Sequence, residues 1–182
     1  GLLFLTLLVA VIGFAMLYSA AGGSVYPWAE RQIIRFIFGI IFLLIVCLLD
    51  IRFWLRWAYL FYGLALISLI VVEGYGLIGM GAQRWLDIGW VQVQPSEIMK
   101  IALILGLSAY FHRKTLEDVR RIRSLLVPLM MTLIPILLVL RQPDLGTAVM
   151  LGIGAAVVFF VAGTPIKYFI MAAIGAIAAD AV

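Results

Sequence analysis

Apolar residues occupy most of this chain in long blocks, and polar residues are confined to short stretches between them. The pattern predicts seven membrane-crossing helices: Leu2–Ser19, Ile33–Leu49, Ala58–Val72, Pro95–Phe111, Leu125–Leu140, Leu145–Gly163 and a shortened Lys167–Val182. A helix needs roughly 20 predominantly apolar residues to cross a bilayer, and helices satisfy their own backbone there. Pro95, Pro143 and Pro165 stand where first helical turns begin, a position that tolerates a missing N–H. Pro128 and Pro135 fall inside the fifth span and predict a bend, with neighbouring helices satisfying the freed carbonyls.

One stretch breaks the pattern. Gly81–Lys100, GAQRWLDIGWVQVQPSEIMK, reads as a polar, Trp-punctuated loop running into a helix. The uncharged run that follows, Ile101–Phe111, has 11 residues, too few to span alone. The helix must therefore start near Pro95 and carry Glu97 and Lys100 toward the membrane, where charges are costly and mark candidate functional sites.

Composition confirms the class. The chain is 66% hydrophobic and 12% charged, with a mean hydropathy of +1.21, whereas a soluble domain carries about 25% charge. The chain is an all-α polytopic membrane protein. Its net charge of +4 then speaks to topology rather than to nucleic acid. The loop His112–Ser124 holds Arg113, Lys114, Arg120, Arg121 and Arg123; Asp50–Trp57 holds Arg52 and Arg56; Lys167 follows the sixth span. These loops share one side, which the positive-inside rule makes cytoplasmic. The amino terminus is then inside, and Gly81–Gln94 and Gln142–Asp144 face outward together. Cys47 lies in an apolar run and reads as a packing residue. The chain opens on Gly1 without a basic n-region and closes in an apolar run, so it is expected to be the front part of a single, larger transmembrane domain.

Most polar residues have an ordinary explanation. His112 reads as a solvated loop residue, Arg120–Arg123 as an anchor on anionic headgroups, Trp28 as an interfacial ring, and Glu73 as an interfacial end to the third span. Glu97 and Lys100, three apart, share a helix face and can pair. They are either a structural ion pair or one wall of a charged cavity, whose mouth Arg84, Asp87 and Asp144 could line. Asp144 also suits the first turn of the sixth helix as a cap. A phosphate-binding Gly-rich loop, HExxH and a Cys/His cluster are all absent from the sequence, which excludes a nucleotide-driven pump and an intramembrane zinc protease.

GAQRWLDIG at Gly81–Gly89, QPSEIMK at Gln94–Lys100 and QPDLGT at Gln142–Thr147, in this order and each beside a span, resemble the SEDS family of RodA, FtsW and SpoVE, and most of all its elongation branch. The resemblance reaches as far as Lys167. It implies about ten transmembrane helices, of which about seven are here, in the bacterial cytoplasmic membrane with the active face outward. It also implies a peptidoglycan glycosyltransferase that polymerises lipid II, an undecaprenyl-linked precursor, during cell-wall elongation and cell-shape maintenance. Implied partners are a class B penicillin-binding protein and the MreC, MreD and MreB elongation complex, beside membrane lipids and no nucleic acid. Carried over by position, Arg84, Trp85, Glu97, Lys100, Gln142 and Asp144 are implied substrate-binding residues, with Glu97 and Lys100 a buried pair beside a central cavity. The family's catalytic aspartate is expected in a large outer loop beyond Val182; Asp180 lacks that loop's surroundings. No cofactor is evident and no metal is assigned, with a divalent cation left open. A lipid II flippase and a membrane scaffold for the penicillin-binding protein are the alternatives.

Overall fold

The computed structural model describes residues 1–26, 28–75, 77–79, 82–87 and 92–171, and it is dominated by helices. They are α1 (Leu2–Ala20), α2 (Trp28–Leu48), α3 (Ile51–Tyr75), α4 (Pro95–Phe111), α5 (Leu116–Val119), α6 (Ile122–Arg141) and α7 (Leu145–Val161), with a further helical segment at 166–171. Leu3–Ala20, Trp28–Leu48, Ile51–Gly74 and Ile122–Arg141 are long and apolar enough to cross a membrane. At 17 residues each, α4 and α7 reach about 26 Å at 1.5 Å per residue, the short end of what a bilayer core requires. The helices fall into two compact units, Gly1–Asp50 and Ile51–Val182.

In the first unit α1 and α2 pack as a helical hairpin, with Phe14 and Phe36 edge-to-face at 5.6 Å. Gly22 at φ +68° ends α1: its N–H reaches the Ser19 carbonyl and that of Gly23 the Tyr18 carbonyl, the paired bonds that close a helix on a left-handed residue.

The second unit is built around α4. Met99, Ala102, Leu103 and Leu107, at helical spacing, are buried against Ala65 and Leu69 of α3, Val139 of α6, and Ala148, Leu151 and Ala155 of α7. Small residues let these backbones approach, as membrane helices require when lipid competes equally for apolar surface. At Gly106 an added Cβ would lie 3.0 Å from the Met131 methyl and 3.6 Å from Tyr62.

Several element boundaries correct the sequence expectation. Helix α2 starts at Trp28 rather than Ile33, and α3 runs from Ile51 to Tyr75 rather than Ala58 to Val72. Apolarity finds only the lipid-compatible stretch, while the helices continue through Arg31, Arg52 and Arg56, whose long side chains can extend toward water from an ordered backbone. The loop His112–Ser124 is partly helical: α5 carries a capping box in which Thr115 and Asp118 bond each other's backbone N–H. Pro95 does open α4, but Pro143 lies two residues before α7, whose cap is Asp144. Of the seventh predicted span, 166–171 is helical and 172–182 lies outside the described residues.

Helix α6 continues through both internal prolines. Each lacks the N–H that would bond the carbonyl four residues back. For Pro135 that carbonyl is Met131, which accepts from the Tyr62 hydroxyl of α3 at 2.9 Å. For Pro128 it is Ser124, which accepts from the Tyr110 hydroxyl of α4 at 2.7 Å. Thr132 closes the remaining turn by donating to the Pro128 carbonyl at 2.9 Å.

Candidate functional site

Between α3 and α4 the structure forms β1 (Leu77–Gly79), β2 (Ala82–Asp87) and β3 (Gln92–Val93), antiparallel in that order. Trp85 is opposite Leu77, and Leu86 opposite Val93. This corrects the expectation of a loop: Trp, Leu and Val favour a pleated surface once the flanking helices hold both ends. Arg84 and Trp85 both sit on β2, with the Trp85 ring at the surface. The side chains of Arg84 and Asp87 lie outside the described residues, as do Gly81, Gly89 and Trp90.

From β3 the chain enters α4 at Gln94, in extended conformation, with Pro95 in the first turn. Glu97 and Lys100 follow one turn apart, and the Lys100 ammonium meets the Glu97 carboxylate at 2.8 Å. The pair is not enclosed within this chain: the Lys100 side chain is 31% exposed and that of Glu97 56%. Met99 and Ala102 occupy the packed face of α4, so the intervening charges turn outward by helical geometry. Within residues 1–182 the pair lies on an open face of the helix.

The second motif sits against the first. The Gln94 amide approaches the Asp144 carboxylate at 3.5 Å, linking the start of α4 to the start of α7. Asp144 caps α7, accepting from the Thr147 N–H at 3.1 Å and from the Thr147 hydroxyl at 2.9 Å. Gln142 is buried and its amide donates to the Leu69 carbonyl of α3 at 3.2 Å, tying a third helix to the same end. Beside it Arg141 and Glu73 approach at 3.7 Å. Glu73, Arg141 and Gln94 were not among the expected site residues, whereas Thr147 was matched to the second outer motif with Gln142 and Asp144. Glu73 and Arg141 are too far apart in sequence for their pairing to be read there, whereas Gln94 and Thr147 lie inside the motifs themselves.

One end of this unit thus gathers β2, the Glu97–Lys100 pair, Gln94, Asp144 and Gln142. The opposite end is basic and aromatic: Arg113 lies over the Tyr59 ring, Lys114 over Tyr110 and Lys167 over Tyr168. Chemically, the first end offers a partly exposed ammonium paired with a carboxylate, framed by amides and a carboxylate that bond to protein. Among the described residues no group of three His, Cys, Asp or Glu side chains could hold a metal ion.

The family model described as "Cell cycle protein", covering FtsW, RodA and SpoVE, matches residues 1–182. The chain is 33% identical over 159 residues to the peptidoglycan glycosyltransferase MrdB of Escherichia coli K12, covering 87% of this chain and 42% of that protein. It is 30% identical over 179 residues to the stage V sporulation protein E of Bacillus subtilis, covering 93% and 49%. Among solved structures it is similar to the rod shape determining protein RodA of Thermus thermophilus, with a TM-score of 0.79 at 32% identity, covering 94% of this chain and 56% of that one. A structure of a peptidoglycan synthase complex, described as coordinating polymerization and crosslinking, matches with a TM-score of 0.83 at 31% identity, covering 96% and 51%. The chain therefore spans about half the length of the relatives it matches.

Proposed function

This chain belongs to the FtsW, RodA and SpoVE family, and from that premise we propose that the protein is a membrane-embedded peptidoglycan glycosyltransferase that polymerises lipid II. The observation that carries the reading is the meeting of two distant motifs at one end of the bundle through Gln94 and Asp144, next to the Glu97–Lys100 pair. In the proposed reaction a sugar hydroxyl attacks the anomeric carbon of a lipid-linked saccharide. The C–O bond to the undecaprenyl pyrophosphate breaks, and a base removes the hydroxyl proton. Lys100 and Arg84 are the cations proposed to hold the diphosphate as charge develops on it. Trp85 offers a face for a sugar ring, and Gln142 and Asp144 hold the frame that positions them.

Glu97 and Asp144 are not proposed as the general base. Glu97 is assigned to holding Lys100 in place, and Asp144 to capping α7 through Thr147. The base is assigned instead to an aspartate of an outer loop outside residues 1–182. The basic end is proposed to face the cytoplasm. A class B penicillin-binding protein is the proposed partner for crosslinking, and the MreC, MreD and MreB complex for elongation.

The test uses the full-length protein purified with its penicillin-binding partner and supplied with lipid II. Lys100→Ala and Glu97→Ala should each abolish most polymerisation while the partner still co-purifies. Unchanged polymerisation with lost lipid translocation would favour a flippase; unchanged activity in both assays would remove the Glu97–Lys100 pair from the mechanism, and a wild-type protein that binds its partner without polymerising would leave a scaffold role.

A further inference from the structure

We propose that the groove between α6, α7 and segment 166–171, at the basic end of the second unit, binds one anionic phospholipid of the surrounding bilayer. The site lies at the other end of the unit from Gln94 and Asp144 and does not depend on the glycosyltransferase reading.

Three observations stack in the order that a phospholipid presents its parts. Deepest is an apolar cavity of about 450 Å³, walled by Leu125 and Leu129 of α6, by Ala155 and Phe159 of α7, and by Phe169. The Thr164 hydroxyl borders the same cavity. Thr164 is only 7% exposed, and its Oγ1 has no hydrogen-bond partner among the described residues. An unpaired buried hydroxyl is costly, so a group that accepts from it is favoured there. Gly163, at φ +88°, ends α7 and holds Thr164 in place through the bond from the Thr164 N–H to the Phe159 carbonyl at 3.1 Å.

The rim is cationic. Arg121 is the extended residue that immediately precedes α6, whose Ile122 and Leu125 line the cavity. Lys167 places its ammonium 5.1 Å from the centre of the Tyr168 ring, which also lines the cavity. The Tyr168 hydroxyl in turn donates to the Arg120 carbonyl at 3.3 Å, so the two basic segments meet at this ring. Arg113, Lys114, Arg120, Arg121, Arg123 and Lys167 have only Glu117 and Asp118 as counter-charges in these two segments, and Asp118, held in the Thr115 cap, also attracts Lys114 and Arg121. Basic pockets between membrane helices bind anionic headgroups. A soluble anion would leave the apolar cavity unused, and a neutral lipid would leave the cations unused. A phosphodiester at Arg121 and Lys167, an ester oxygen at Thr164 and an acyl chain along Leu125, Leu129 and Phe159 use all three.

The experiment is native mass spectrometry of the full-length protein, released from mixed phosphatidylglycerol and phosphatidylcholine bilayers, with retained lipids counted. The wild-type protein should keep one phosphatidylglycerol at detergent levels that strip phosphatidylcholine. R121Q combined with K167Q should weaken that retention about 25-fold, at about fivefold per cation near the surface. Ala156→Trp, which fills the cavity and leaves every charge in place, should remove the lipid altogether. Full retention in the charge variant would overturn the proposal. So would equal retention of phosphatidylcholine, displacement of phosphatidylglycerol by an equimolar polyprenyl phosphate, or a cross-link from a cysteine at position 156 to another segment of the protein.

Discussion

Tyr62 and Tyr110 donate to the two carbonyls that Pro135 and Pro128 leave without helical partners in α6. Removing either hydroxyl returns an unsatisfied carbonyl to a medium without water. Tyr62→Phe should therefore lower stability by about 1 kcal/mol, read as a lower midpoint in thermal or chemical unfolding in detergent. The same substitution should cost nothing measurable in a Pro135→Ala background, because alanine at that position supplies the helical N–H that the Met131 carbonyl otherwise lacks. An equal cost in both backgrounds would show that the hydroxyl acts elsewhere. The sequence shows the prolines and the need for outside donors, but not which tyrosines supply them. That choice depends on the rotation of α3 and α4 about their own axes, which packing around Met99, Leu103 and Leu69 decides. Likewise Glu97 and Lys100 were legible as a pair from their spacing, whereas the Gln94–Asp144 link joins residues 50 apart.

Among the elements, α5 is the clearest case of a local signal with a local consequence. Hydrogen bonds from the Thr115 side chain and backbone, helped by Lys114 and Arg121, hold the Asp118 carboxyl below its ordinary range. A depressed carboxylate contributes its cap at neutral pH and loses it as pH falls through that lowered value. The protection factor of the Asp118 amide, whose N–H bonds the Thr115 hydroxyl, should fall in that acidic window, as read by hydrogen exchange corrected for the intrinsic rate at each pH. Asp118→Asn should weaken the cap at neutral pH. Helix α4 is constrained instead by its neighbours. Gly106→Ala asks only the flexible end of Met131 to move by a few tenths of an ångström. Gly106→Val adds branches against both Met131 and Tyr62 and should cost about 1–3 kcal/mol, measured by the same unfolding assay. The three strands were hidden in what reads as a polar loop, because β1 and β3 have only three and two residues and the six of β2, AQRWLD, do not alternate.

For the molecule as a whole, the proposed topology makes a direct prediction. In full-length protein with Cys47→Ser, a cysteine replacing Leu145 should react with a membrane-impermeant maleimide on intact cells. One replacing Glu117 should react only after permeabilisation. The reverse pattern would invert the proposed orientation and put the Glu97–Lys100 end inside. Hydropathy and short-range spacing were enough to establish a multi-span helical membrane protein and to find most of its spans, while the wording of three motifs carried the resemblance to one family. They suffice because each span must satisfy its own backbone within the bilayer. The folded chain adds that Gln94 meets Asp144, that Gln142 reaches α3, and that an apolar cavity lies beneath the basic loop. These contacts join segments whose relative rotation no local pattern encodes, and it is set by how small and large side chains interlock around α4.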